Sequence, residues 1–402
     1  MSEQDIKIFP VPGIRMSAVS AGIKKAGRLD VVLFELCEGA TVAGVYTQNA
    51  FCAAPVQVTR DHNSAAQPRY LLINTGNANA GTGQAGVQDA LHCCEKLALA
   101  TGLTTQQVLP FSTGVIGEAL PVEKITAVYA QALASLSEQN WTAAAQGIMT
   151  TDTVPKFSSR QISIAGNKLT VTGIAKGAGM IKPNMATMLG FIFTDAKIDK
   201  ATLHEINLAH ANRSFNRITV DGDTSTNDCC MLAASAQGEL DYAALSDTDK
   251  AKVDAVFQDV YQDLAQAIVR DGEGASKFVT IDISEGLENS ECLRLAYAVA
   301  ESPLVKTALF ASDPNWGRIL AVVGRAGIPD LDISQVSIFL DDVCIVENGG
   351  KSPAYTEAAG QAVVSQSAFA IRIVLGRGDV SERIWTCDLS YDYVKINAEY
   401  RS

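Results

Sequence analysis

Short apolar runs punctuated by turn formers dominate the first seventy positions. Residues 31–36 (VVLFEL), 43–47 (AGVYT) and 54–59 (APVQVT) are β-prone and separated by Gly, Asn and Pro, which predicts three strands. Residues 70–73 (YLLI) predict a buried strand. From 87 to 100 the apolar residues recur near the 3.6 period, which predicts a helix, and 121–136 and 141–149 read as further helices. Two strands, 159–164 and 168–175, flank the turn Gly166-Asn167. A glycine-rich loop and a strand over 187–194 follow, then helices over 202–211 and 251–269. Beyond about residue 285 the alternation starts again: a strand, a helix near 302–311, and strands around 319–323, 336–340 and 370–375. This places a domain boundary near 285, dividing the chain into 1–285 and 286–402. Interleaved strands and helices put the fold in the α/β or α+β class.

Composition narrows the function. The 402 residues are 47% apolar and 19% charged, a soluble globular composition. No uncharged apolar run approaches the ~18–20 residues that span a bilayer. The first ten residues lack an apolar signal core, so no signal peptide is expected. A net charge of −12 with no Lys/Arg-rich run argues against nucleic acid as a partner. The nine cysteines are irregularly spaced without a CxxC, and the four histidines show no ligand spacing. Reduced thiols in a cytoplasmic protein without a metal site are expected. No GxSxG elbow accompanies the histidines, so a Ser-His-Asp enzyme gains little support.

Residues 176–195, KGAGMIKPNMATMLGFIFTD, carry the most chemistry. Small residues after Lys176 let the backbone approach a ligand closely. Pro183 and Asn184 form a stiff turn, and Ala186-Thr187 opens an apolar strand. A threonine fixed at such a strand mouth, after a small residue that leaves its carbonyl accessible, can attack the Ala186 carbonyl. Hydrolysis of the resulting ester would give fragments 1–186 and 187–402. The freed α-amine, with a pKa of about 7.7–8.0, would then serve as base for its own hydroxyl. On local pattern alone Thr187 can equally be an ordinary strand threonine. The turn at 111–117 (FSTGVIG) offers a hydroxyl and backbone N–H groups suited to an oxyanion. The hydroxyls of 149–153 (MTTDT) suit a polar substrate, Glu273 in 270–275 (RDGEGA) suits an ammonium, and the tail 397–402 reads NAEYRS. Each of these can also be a plain turn, cap or frayed end. Residues 81–86 (GTGQAG) match GxGxxG between a strand and a helix, but the intervening NTGNANA is long. No acid lies between Lys96 and Gly117 for a ribose, so a turn at a helix start is the favoured reading over a nucleotide site.

Taken together, these segments resemble the glutamate N-acetyltransferase/ornithine acetyltransferase family of arginine biosynthesis, the ArgJ family. The likeness spans nearly the whole chain: AGIKKAGRLD (21–30), AAPVQVTR (53–60), NTGNANAGTG (74–83), FSTGVIGE (111–118), MTTDT (149–153), KGAGMIKPNMATML (176–189), DGDTSTND (221–228), RDGEGASK (270–277), SDPNWGRI (312–319) and YVKINAEYRS (393–402). Position 75 is Thr where the family often has Ser, and the last residue is Ser where Thr is also common. Both keep a hydroxyl. The resemblance implies cleavage between Ala186 and Thr187, with Thr187 as nucleophile and Thr113 and Gly114 as the oxyanion hole. It implies substrate contacts from Thr153, Lys176, Thr187, Glu273, Asn397 and Ser402, with Lys176 meeting a carboxylate. It implies a ping-pong transfer of acetyl from N-acetylornithine to glutamate, acetyl-CoA as a further donor in some members, no cofactor, and α2β2 heterotetramers of the cleaved chains. The implied fold is a layered α/β sandwich like that of the self-cleaving β-peptidyl aminopeptidases, with a smaller C-terminal α/β domain. A related self-processed amidohydrolase, passing the acyl group to water, is the competing activity.

Overall fold

The structure, a computed structural model, describes residues 7–182 and 188–399. They fall into two compact units. The first takes the chain up to Gly177, the stretch from 188 to Asn216, and Thr224–Ile268; the second takes Ala178–Lys182, Arg217–Asp223 and the chain from Val269. The division therefore precedes residue 285. Strand Phe278–Gly286 pairs in parallel with Ala368–Val374 and antiparallel with Val380–Cys387, deep in the second unit's sheet.

The first unit is built on two sheets. One has the order Ile14–Val19, Val31–Leu36, Tyr70–Asn77, Val108–Val115, and only its last pair is parallel. The other has the order Thr41–Tyr46, Cys229–Ala234, Leu189–Thr194, Asn167–Lys176, Lys156–Ile164, with Cys229–Ala234 and Leu189–Thr194 parallel. The strand VVLFEL is apolar at every position but Glu35 because both its faces are buried. Val32, Phe34 and Leu36 enter the core between the sheets. Val31 and Leu33 enter a second core with Cys94 and Leu97 of helix Gly83–Thr101. Phe34 stacks on Phe193 at 4.8 Å, and Phe111 meets Phe191 edge-on at 5.1 Å, joining the two sheets. Helices Lys200–Arg213 and Asp247–Arg270 cover the far face of the second sheet. There the Asn207 amide donates to the carbonyls of Ala43 (3.2 Å) and Cys230 (3.0 Å), and Tyr261 Oη donates to Asn207 Oδ1 (2.8 Å). The result is a four-layer α/β/β/α sandwich.

The second unit has a seven-stranded sheet in the order Gly350–Lys351, Val343–Glu347, Ser337–Leu340, Ala368–Val374, Phe278–Gly286, Val380–Cys387, Ile218–Thr219. Ala368–Val374 alternates, sending Phe369, Ile371 and Ile373 into a core shared with Leu295, Val299 and Val322. The fold is thus mixed α/β in both units. Among the described residues, no helix is long and apolar enough to cross a membrane.

Two expected strands are helices. Residues 54–59 open helix Ala54–Ala65. Pro55 sits in its first turn, where its missing N–H costs nothing, and Val56, Thr59 and His62 share a buried side at helical spacing. Residues 319–323 lie in helix Trp316–Arg325. Asn315 caps it by accepting from the Arg318 N–H, and Ile319, Val322 and Val323 face the core at i, i+3, i+4. In both places β-branched composition suggested strands, while the spacing of buried positions followed the helix.

Candidate active site

Within the first unit, strands Tyr70–Asn77 and Val108–Val115 run in parallel until Gly76 faces Gly114, where the register slips. Both glycines have positive φ, +100° and +136°. A Cβ on Gly114 would lie 2.3 Å from the Gly76 carbonyl carbon and 2.5 Å from the Asn77 nitrogen, so backbone fills that space. Only glycine allows both this approach and this conformation. Polar side chains brace the two strand ends. Ser112 Oγ donates to Asn74 Oδ1 (2.6 Å), and the Asn227 amide donates to the carbonyls of Ala78 (2.6 Å) and Ser112 (2.9 Å).

Thr113, buried just before Gly114, accepts a hydrogen bond from Lys176 Nζ at 3.1 Å. Lys176 is the last residue of strand Asn167–Lys176. Accepting that bond leaves the Thr113 hydroxyl hydrogen to donate elsewhere, as an oxyanion donor must. Thr113, expected with Gly114 in an oxyanion hole, and Lys176, expected to meet a substrate carboxylate, are thus hydrogen-bonded to each other.

A carboxylate that the sequence reading passed over organises this cluster. Asp152, inside MTTDT, is buried and accepts from Lys156 Nζ (2.6 Å) and the N–H groups of Gly177 (2.7 Å) and Thr150 (2.9 Å). Burial opposes its ionisation, but the ammonium groups of Lys176 and Lys156 and the Gly177 N–H outweigh that. Its pKa is lowered to about 2. Its neighbour Thr153, expected to touch substrate, is exposed. The available signal was an acid between two threonines a short stretch before Lys156. A second unexpected acid is Asp228, buried at the head of strand Cys229–Ala234, next to the residue whose N–H bonds the Met188 carbonyl at 2.9 Å.

In the second unit, residues 178–182 are tied down one after another. The Ala178 carbonyl accepts from the Glu273 N–H (2.8 Å), and the Ile181 carbonyl accepts from the Val220 N–H (2.8 Å). The N–H groups of Met180 and Ile181 donate to Asp221 at 2.6 and 2.8 Å, and Lys182 Nζ meets Glu301 at 2.9 Å. Gly179 packs against the Glu273 carboxyl so closely that a Cβ would lie 2.4 Å from Cδ. Glu273 Oε2 accepts from the Asn397 amide at 2.8 Å, so these two expected substrate contacts are brought together. Asn397 sits on helix Tyr391–Ala398, capped by Ser390. Ala186, Thr187 and Ser402 lie outside the described residues.

The GxGxxG segment is closed by its own side chains. Thr82 Oγ1 donates to Asn79 Oδ1 (2.9 Å) and the Asn79 amide donates to the Gly86 carbonyl (2.8 Å). A Cβ on Gly86 would lie 1.9 Å from Thr82 Oγ1, so its glycines serve a turn and a helix start.

Similarity to known proteins bears on the family. The ArgJ family model matches residues 15–402. The arginine biosynthesis bifunctional protein ArgJ of Pseudomonas fluorescens is 59% identical over 402 residues, covering 98% of each chain. Its counterpart in Methylococcus capsulatus is 55% identical over 402 residues, covering 99% of this chain and 97% of the relative. Among solved structures, the Bacillus halodurans arginine biosynthesis bifunctional protein ArgJ is 35% identical, covering 52% of this chain and 98% of its own, with a TM-score of 0.48. The Mycobacterium tuberculosis ornithine acetyltransferase complexed with ornithine is 34% identical, covering 44% and 94%, with a TM-score of 0.39. A family match over nearly the whole length, with relatives above half identity, leaves one assignment: the chain belongs to the ArgJ family.

Proposed function

We propose that this protein is a glutamate N-acetyltransferase of arginine biosynthesis that first cuts itself between Ala186 and Thr187. The freed threonine then carries acetyl from N2-acetylornithine to glutamate. The observation that carries this reading is the Lys176–Thr113 bond beside Gly114, anchored by Asp152 in a chain whose family match is nearly complete. In the first half-reaction Thr187 Oγ attacks the acetyl carbonyl while its own α-amine takes the hydroxyl proton. The oxyanion is held by the Thr113 hydroxyl and the Gly114 N–H, each donor worth about 3–4 kcal/mol of barrier. Ornithine leaves with the proton, and glutamate's amine then attacks the acetyl-threonine ester. Lys176 attracts the substrate carboxylate, Glu273 and Asn397 take its ammonium side, and Thr153 and Ser402 add polar contacts. Relatives carrying the word bifunctional in their names support a second activity, and acetyl-CoA as a further acetyl donor is the one proposed here. An α2β2 assembly in the cytoplasm completes the proposal, and the chemistry draws on no cofactor.

Intact-mass measurement tests the first step. The wild-type chain is expected as two fragments and Thr187→Ala as a single 42.6 kDa chain, while Thr187→Ser still cleaves. An active wild-type enzyme of 42.6 kDa would remove the nucleophile assignment. A panel of acetylornithine or acetyl-CoA, each with glutamate, tests the transfer. Release of free acetate with no N-acetylglutamate would make the protein an amidohydrolase instead.

A further inference from the structure

The segment AAPVQVTR (53–60) ends at Arg60, which lines a pocket of about 230 Å³ in the first unit. One wall is strand Thr41–Tyr46, the edge of its sheet. The Thr47 N–H donates to the Asp228 carbonyl (3.0 Å), and antiparallel bonding alternates, so the N–H groups of Gly44 and Tyr46 point to the free edge. Tyr46 folds back over the strand. A Cβ on Gly44 would lie 2.2 Å from its Oη, so only glycine leaves room for the hydroxyl. That Oη accepts from the Asn63 amide at 3.3 Å, which leaves its own hydrogen to donate. The Arg60 guanidinium lies 5.3 Å from the centre of the Tyr46 ring and gives one N–H to the Thr47 carbonyl (2.7 Å), with other N–H groups of its fork left over. Lys200 Nζ donates to the Asn63 carbonyl from the start of helix Lys200–Arg213, and exposed His204 follows one turn later. Among the described residues no carboxylate lines the pocket, in a chain of net charge −12. Asn63 lines it too, is 7% exposed, and its Oδ1 has no hydrogen-bond partner among the described residues.

We propose that this pocket between Arg60, Lys200, His204 and Tyr46 binds a phosphate group. Guanidinium and ammonium groups make their strongest hydrogen bonds to such oxyanions, and the phenol and imidazole add donors. A carboxylate would satisfy the cations but brings no proton to the open Asn63 acceptor. Hydrogen phosphate keeps one O–H for it, and a sugar phosphate ester carries a hydroxyl beside the phosphate. The volume lies below that of pockets that enclose a whole drug-sized ligand, so it suits a head group rather than an entire nucleotide. Free phosphate and the ribose phosphate of coenzyme A share this chemistry. Tyr46 stands opposite Cys229 and Cys229 opposite Leu189, which puts the pocket's tyrosine two strand spacings, about 10 Å, from the strand after the proposed nucleophile. The assignment of the pocket does not depend on Thr187 being that nucleophile.

Calorimetric titration of the purified wild-type protein with inorganic phosphate, coenzyme A and 3′-dephospho-coenzyme A, at constant ionic strength, tests this. Phosphate is expected to bind one site per chain. Lys200→Glu and Arg60→Ala should each weaken it at least about 10-fold. Lys168→Glu makes the same charge change at an exposed lysine outside the pocket and should leave binding within about twofold. Tighter binding of coenzyme A than of its 3′-dephospho form, with the difference lost in Lys200→Glu, supports the proposal and identifies the ester phosphate as the source. Equal affinity for the two, with phosphate binding lost in Lys200→Glu, supports it with free phosphate as the source. If Arg60→Ala lowers Tm, His204→Ala at its exposed position repeats the arm. Absence of phosphate and coenzyme A binding in wild type overturns the proposal. So does binding that survives in Lys200→Glu, or that falls equally in Lys168→Glu. Transfer from acetylornithine to glutamate, measured alongside, reports on the proposed function separately: its loss with phosphate binding intact sinks that function and leaves the pocket standing.

Discussion

Asp152→Asn is the most informative single change outside the proposed nucleophile. The native carboxylate faces Lys156 Nζ at 2.6 Å and the Gly177 N–H at 2.7 Å, in a site closed to solvent. Its pKa falls from the ordinary 3.8 to about 2. At 1.36 kcal/mol per pH unit, ionisation contributes about 2 kcal/mol to folding. The variant loses more than that, because Lys156 and Lys176 remain while their shared counter-charge goes. Stranding buried charge costs about 3–5 kcal/mol. A folded pKa below the unfolded one means the contribution is complete above about pH 4 and disappears as pH falls towards 2. Urea unfolding at pH 7, read by tryptophan fluorescence with Trp141 as the buried reporter of this unit, should show a loss of 3–5 kcal/mol. Between pH 4 and 2 wild type should lose stability more steeply than the variant. A loss below about 1 kcal/mol at pH 7, or parallel acid profiles, would refute the claim that Asp152 carries the charge balance of this cluster.

Three further outcomes follow from the same geometry. Thr113→Ala should slow both self-cleavage and acetyl transfer about 100-fold, with Thr113→Ser restoring most of each; full processing by the alanine variant would separate the two steps. Gly114→Ala must push Cβ into the Gly76–Asn77 backbone, so thermal melting should fall by several degrees and processing should stop. Glu273→Gln keeps the contact with Asn397 but removes a charge, so steady-state kinetics of a stable variant should show a raised KM for acetylornithine with little change in kcat. An unchanged KM would exclude Glu273 as the ammonium site.

The fold was most legible where a strand is buried on both faces. VVLFEL and LGFIF read as strands because no polar residue interrupts them for long. It was least legible where β-branched residues sit on helices, at Val56–Val58 and Val322–Val323, because propensity there yields to which side of the element is covered. Motifs located Thr113, Gly114 and Lys176, and family likeness supplied their roles. Asp152 and Asp228 were missed for one physical reason. A carboxylate gains its meaning from burial and from charges brought by distant strands, and the sheet order 41–46, 229–234, 189–194, 167–176, 156–164 does not follow the sequence.

That order has a consequence for the proposed self-cleavage. Leu189–Thr194 bonds on one side to Asn167–Lys176, and Cys229–Ala234 bonds on its outer side to Thr41–Tyr46. A cut before residue 187 therefore leaves the two halves interlaced like the teeth of a zip: a central pair of ribbons from the later half, flanked on both sides by the earlier one. Severing the chain cannot release either piece without tearing open a buried sheet. Native chromatography should show one particle where a denaturing gel shows two bands, and halves produced alone would each present raw, sticky edges.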